Sequence, residues 1–158
     1  MSDTISDIRA SKPVTPQAAT DLYESLPAIS SEDMIGDWVG TCVFTNHPGT
    51  ALLLDARWVG KSFHSTEDVD PIVSDFGEGR VVNGSLGKAR LREVKYHGVV
   101  SAAMIYNDKP IIDYFRRVDE TTVMGVMDAV GLAAGEAGDH GFYFILEKLA
   151  GEKKQANI

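Results

Sequence analysis

The sequence predicts a mainly β protein, an antiparallel meander of about nine strands that closes into a small β-barrel. One helix precedes the first strand and one short helix follows it. Three observations carry this reading. Short runs rich in β-formers recur from Trp58 onwards, at 58–64, 71–75, 80–83, 88–96, 99–106, 111–118, 122–129 and 141–149. Turn chemistry separates them, as in Gly77 and Gly79, Asn83-Gly84, His97-Gly98, Asn107 to Pro110, and Asp119-Glu120. Almost no helical periodicity intervenes.

The elements follow in order. Thr15 can cap a helix over 16–26 that has Pro16 at its first position, with Leu22 and Leu26 four residues apart. Ser31, Glu32 and Asp33 resemble a further helical turn leading into Gly36. Trp38, Val39, Cys42, Val43 and Phe44 make 37–45 the first strand. His47-Pro48-Gly49 is a loop signal, and the leucines at 52, 53 and 54 favour a short helix over 51–57. In 88–96 the alternation of Lys88, Arg90 and Arg92 against Ala89 and Leu91 slips phase to Val94 and Tyr96. This predicts a β-bulge near Arg92-Glu93.

A chain of 158 residues with 44% hydrophobic and 24% charged residues suits one soluble domain. Residues 1–15 are expected to be a flexible N-terminus, 16–149 the barrel domain, and 150–158 a flexible tail. No secretory signal or membrane-length apolar run is visible, so a cytoplasmic location is expected. The net charge of −8 disfavours nucleic acid as a partner. Residues 1–78 hold 13 acids and 4 bases, whereas 79–158 hold 10 acids and 11 bases. Part of that difference is the stripe Arg80, Lys88, Arg90 and Arg92, a candidate surface anion patch. The lone Cys42 excludes an intrachain disulfide and a Cys-rich zinc site, and no basic neighbour activates it.

Gly36-Asp37-Trp38-Val39-Gly40 is a G-x-W-x-G motif, followed by Trp58-Val59-Gly60-Lys61-Ser62-Phe63 and Glu67 to Pro71. These resemble the bacterial GXWXG family, over 34–75. Ala103 to Arg116, Thr122 to Asp128 and Phe142 to Leu146 look like the domain of unknown function 4334 that usually follows it, here over 95–149. The resemblance spans nearly the whole ordered chain and names no activity. A weaker likeness is to lipocalin-like barrels, which also carry G-x-W on their first strand. It implies a structural motif in which Trp38 plugs a barrel end while Gly36 and Gly40 permit close backbone approach.

A barrel of about eight strands can enclose one small ligand. The expected function is therefore non-enzymatic binding of a small hydrophobic or lipid-like molecule inside the barrel. Trp58, Met104, Tyr106, Tyr114 and Met127 are the candidate lining, since methionines and aromatics adapt to apolar ligands. Lys61, His64, Asp113 and Arg116 are the candidate polar contacts. The pattern leaves open which face of 111–118 points inward; an Asp113 inside would have a raised pKa. Anionic phospholipid headgroups on the outer basic stripe, with peripheral membrane contact, are the alternative. An enzyme using Asp113 and His64 as an acid–base pair is the second alternative, and no catalytic set is assigned. His47, His97 and His140 lie in apparent turns, no local spacing suits a metal, and no cofactor is indicated. A homodimer is compatible with the sequence. The glycine-rich stretch 131–138 lacks the lysine of a phosphate-binding loop and is expected to be a mobile loop or lid.

Overall fold

A computed structural model describes residues 3–130 and 141–149. Nine strands form one antiparallel sheet: β1 (Gly36–Cys42), β2 (Trp58–Ser65), β3 (Asp68–Asp75), β4 (Arg80–Val82), β5 (Ala89–Tyr96), β6 (Val99–Tyr106), β7 (Ile111–Asp119), β8 (Thr122–Ala129) and β9 (Phe142–Lys148). The spatial order is β2-β1-β9-β8-β7-β6-β5-β3-β4, and an added β2–β3 pairing closes eight strands into a barrel with β4 outside the ring. The helices are α1 (Thr4–Arg9), α2 (Pro16–Ser25) and α3 (Pro48–Asp55). Thus α1 forms inside the segment expected to fray, with Ile8 buried and Arg9 reaching Asp119 and Glu147 at 3.2 and 3.1 Å. The tail from residue 150 and the glycine-rich loop 131–138 lie outside the described residues.

Two apolar clusters are separated by the barrel wall. The inner one includes Trp38, Phe63, Met104, Phe115, Phe142 and Phe144. The outer one includes Ile8, Ala19, Tyr23, Tyr114, Tyr143 and Ile145, and forms where α1 and α2 cover the sheet. Helix α2 begins as its residues dictate, with Thr15 Oγ1 accepting from the Ala18 N–H at 3.0 Å and Pro16 next. Its far end is held from the sheet. The buried Arg116 on β7 donates to the carbonyls of Tyr23, Glu24 and Leu26 at 3.1–3.3 Å, and its guanidinium lies 4.7 Å over the Tyr23 ring. A cation on the carbonyls at a helix C-terminus is well placed.

This second core explains a missed expectation. The β5–β6 ladder runs without a register shift from Ala89↔Tyr106 to Tyr96↔Val99, so there is no bulge at Arg92-Glu93. Ala89 and Leu91 face the barrel interior, whereas Val94 and Tyr96 pack on the outer cluster. The apolar residues change face because the covering changes, not the register.

The G-x-W-x-G motif has a steric basis. Gly36 has φ +133°, a region that favours glycine. Trp38 is buried, and its indole donates to the Met34 carbonyl at 2.8 Å. A Cβ at Gly40 would come within 2.2 Å of the Trp58 ring, so glycine there lets that indole lie against β1.

The ring is weakest between β3 and β5, where the one ladder pair is Val69↔Ala89, supplemented by Leu91 N–H donating to the Thr66 carbonyl at 2.7 Å. Side chains span this seam. Lys88 meets Asp68 and Asp70 at 2.6 and 2.7 Å, and Arg92 contacts both carboxylate oxygens of Glu67 at 2.9 and 3.1 Å. Exposed pairs contribute about 1 kcal/mol or less each, so their removal should act locally. Hydrogen exchange of a Lys88→Ala/Arg92→Ala variant is expected to show faster exchange at the Leu91 amide while the β7–β8 amides keep their protection.

Candidate functional site

The interior is not uniformly apolar. Lys61 on β2 and Asp113 on β7 meet across it, Nζ to Oδ2, at 3.2 Å, with their side chains 3% and 1% exposed. Alternation places them there. Asp113 and Phe115 point inward while Tyr114 and Arg116 point outward, and a mixed face on each side is tolerated because both faces are covered. Lys61 Nζ also donates to the Pro71 carbonyl at 3.0 Å and sits 5.4 and 5.1 Å from the Trp58 and Phe144 ring centres.

This pair borders a small cavity of about 20 Å³, lined by Leu53, Trp58, Lys61, Ile72, Leu86, Tyr106, Asp113, Met127, Phe142 and Phe144. On two of these lining residues a polar atom, Asp113 Oδ1 and Trp58 Nε1, is buried without a hydrogen-bond partner. Burial raises the Asp113 pKa, and Lys61 only partly opposes that; burial likewise lowers Lys61, against the pull of Asp113. Burial thus works against each charge, while the contact between the two favours the ion pair. The Tyr106 hydroxyl is pushed well above its ordinary value, first by burial and then by the Asp113 carboxylate.

The expected site residues therefore separate. Trp58, Lys61, Tyr106, Asp113 and Met127 come together on the cavity. Met104 is buried in the same inner cluster without lining the cavity. Tyr114 lies on the outer wall, stacked on Tyr96 at 3.8 Å, and Arg116 holds α2, so neither faces the interior. His64 is 49% exposed and bonds Asp70 at 2.7 Å, away from the cavity. Burial would raise the Asp70 pKa, but the hydrogen bonds from Lys88 and His64 lower it overall. An acid–base pair of His64 with Asp113 is not assembled.

Of the four basic residues in the expected anion patch, two are paired with acids and two contact neutral groups. Lys88 and Arg92 are neutralised at the seam, Arg90 donates to Asn107 at 2.6 Å, and Arg80 donates to the Trp38 carbonyl at 3.3 Å. His47 is a buried cap, its Nδ1 accepting from the Gly49 N–H at 2.9 Å, and His97 stacks on Tyr96 and bonds Glu24. His140 lies outside the described residues. Burial pushes the Cys42 thiol up to about 11, which leaves it unreactive.

Leu53, Ile72 and Leu86 were not anticipated on the cavity. Leu53 has a faint signal, since only one of three successive leucines in a short helix can face the core. Among the described residues no cluster of three His, Cys, Asp or Glu could hold a metal. No helix among them is long and apolar enough to cross a membrane, which says nothing of a β-barrel.

Removing one member of the pair strands the other. Lys61→Met is expected to cost about 3–5 kcal/mol at neutral pH. The lone carboxylate would have a folded pKa further above its unfolded value. Its penalty is absent below the unfolded pKa and grows as pH rises toward the folded one. Urea unfolding should therefore show the deficit of Lys61→Met shrinking as the solution is acidified.

Comparison with known proteins agrees with this architecture. The family profile described as GXWXG protein matches residues 21–79, and that described as domain of unknown function (DUF4334) matches residues 87–148. Nothing among curated proteins matches. A crystal structure of a protein from Thermomonospora curvata shares 34% identity, covers 92% of this chain and 95% of its own, and superposes with a TM-score of 0.82. The chain belongs to the family in which a GXWXG segment is followed by DUF4334, the two together forming one closed barrel.

Proposed function

We propose that the barrel binds a small, largely apolar molecule in its interior, with one polar group at the Lys61–Asp113 end of the cavity. The observation that carries this is that two residues lining one apolar cavity each hold a buried, unpartnered polar atom, Asp113 Oδ1 and Trp58 Nε1. A buried polar atom left unsatisfied costs about 1–3 kcal/mol, and a buried ion pair seldom stabilises a fold relative to apolar residues of similar volume. Such a combination is reasonable where a ligand uses it.

The present cavity of about 20 Å³ is far smaller than an occupied ligand site, so binding requires a wall to move. Helix α3 is suited to that. Leu53 is its contact with the inner cluster, Gly49 is its buried residue, and Leu52 and Leu54 are each 55% exposed. Lifting the partly buried Leu53 into water costs less than the roughly 1.5–3 kcal/mol of a fully buried leucine, which a ligand burying a few methylenes offsets.

The test is a ¹H–¹⁵N NMR titration of the full chain with hexan-1-ol. Shifts are expected at the Trp58 indole N–H and at the Lys61, Tyr106 and Asp113 amides, with affinity several-fold higher in Leu53→Ala, which enlarges the cavity. Shifts confined to surface amides, or an affinity unmoved by Leu53→Ala, would overturn interior binding.

A further inference from the structure

Resting on that reading, we infer that the polar group the cavity takes is a neutral hydroxyl, so that the ligand is an alcohol or phenol and not a carboxylic acid. Charge decides the first half of this. Among the described residues Lys61 is the one cation on the cavity lining, and its charge already faces Asp113 at 3.2 Å. Its remaining directions are taken by the Pro71 carbonyl and by the faces of Trp58 and Phe144. An incoming carboxylate would find no unmatched positive charge and would be placed beside the Asp113 carboxylate, which like-charge repulsion opposes. Arg116 and His64, which could have served an acid, stand respectively beneath α2 and at the half-exposed Asp70 contact.

Donor and acceptor count decides the second half. Trp58 Nε1 is a donor without an acceptor, and Asp113 Oδ1 is an acceptor without a donor. A hydroxyl supplies both complements from one atom, with one O–H and two lone pairs. A ketone, ester or ether satisfies Trp58 alone. An ammonium satisfies Asp113 alone and adds a second cation beside Lys61. Tyr106, on the same cavity, stays protonated at neutral pH and can donate or accept without adding charge.

The experiment compares four probes of similar size by calorimetric titration of the full chain near neutral pH: hexan-1-ol, methyl pentyl ether, hexanoate and heptane. Hexan-1-ol is expected to bind at least about tenfold tighter than either the ether or hexanoate, because each leaves a buried group unpaired or adds repulsion. Asp113→Asn removes the balancing charge while keeping the shape, so hexanoate should overtake hexan-1-ol. Should that variant not fold, Trp58→Phe removes the indole donor and should weaken hexan-1-ol relative to heptane. Hexanoate or the ether binding the native protein as tightly as the alcohol overturns the hydroxyl assignment and leaves interior binding standing. Exclusion of all four probes overturns both.

Discussion

The Lys61–Asp113 contact is the constraint to which the rest of the interior answers. In the closed ring β2 and β7 stand four strands apart in either direction, so this 3.2 Å contact spans the barrel diameter. Around it the walls must supply aromatic faces for the ammonium, a carbonyl for its second hydrogen bond and bulky apolar groups to keep water out. Trp58, Phe144 and Pro71 do so. The indole of Trp58 reaches its place because Gly40 on the neighbouring strand leaves the space a Cβ would fill. The family motif is thereby connected to the cavity by one steric contact, in addition to anchoring Trp38.

The outer wall solves a different problem. A barrel whose external face is half apolar needs a cover, and α1 and α2 provide it, with Arg116 fastening the end of α2 and Arg9 fastening α1. The β3–β5 seam, thin in backbone pairing, is held by Lys88 and Arg92. Two of the four charges in the basic stripe, Lys88 and Arg92, serve here to close the ring.

The strands and the two flanking helices were legible because turn residues and β-formers mark them locally. Nine strands were expected and nine are present among the described residues, with α2 starting at the proline that the Thr15 cap indicated. What local pattern could not give was the meaning of mixed faces. In β7 both faces mix apolar and charged residues, and only the folded barrel shows that Asp113 meets a lysine on the opposite wall while Arg116 meets helix carbonyls. The partners are distant in sequence and lie on strands that do not pair. For the same reason Val94 and Tyr96 looked like a register slip, when they follow a change from barrel core to helix cover. Trp58, Lys61, Tyr106 and Met127 were found as strand residues of suitable chemistry, whereas Ile72 and Leu86 have no local feature that distinguishes a cavity wall from ordinary core.

The central claim is that the Lys61–Asp113 pair is retained for what it binds and not for the stability of the barrel. Its most direct test is the unfolding free energy of the double variant Lys61→Met/Asp113→Leu, in which both charges give way together to apolar groups of similar volume. The account predicts a protein at least as stable as the native one in urea, because desolvating two charges costs more than their attraction returns. A double variant less stable by about 3 kcal/mol or more would contradict it, and would make the pair a structural tie across the barrel.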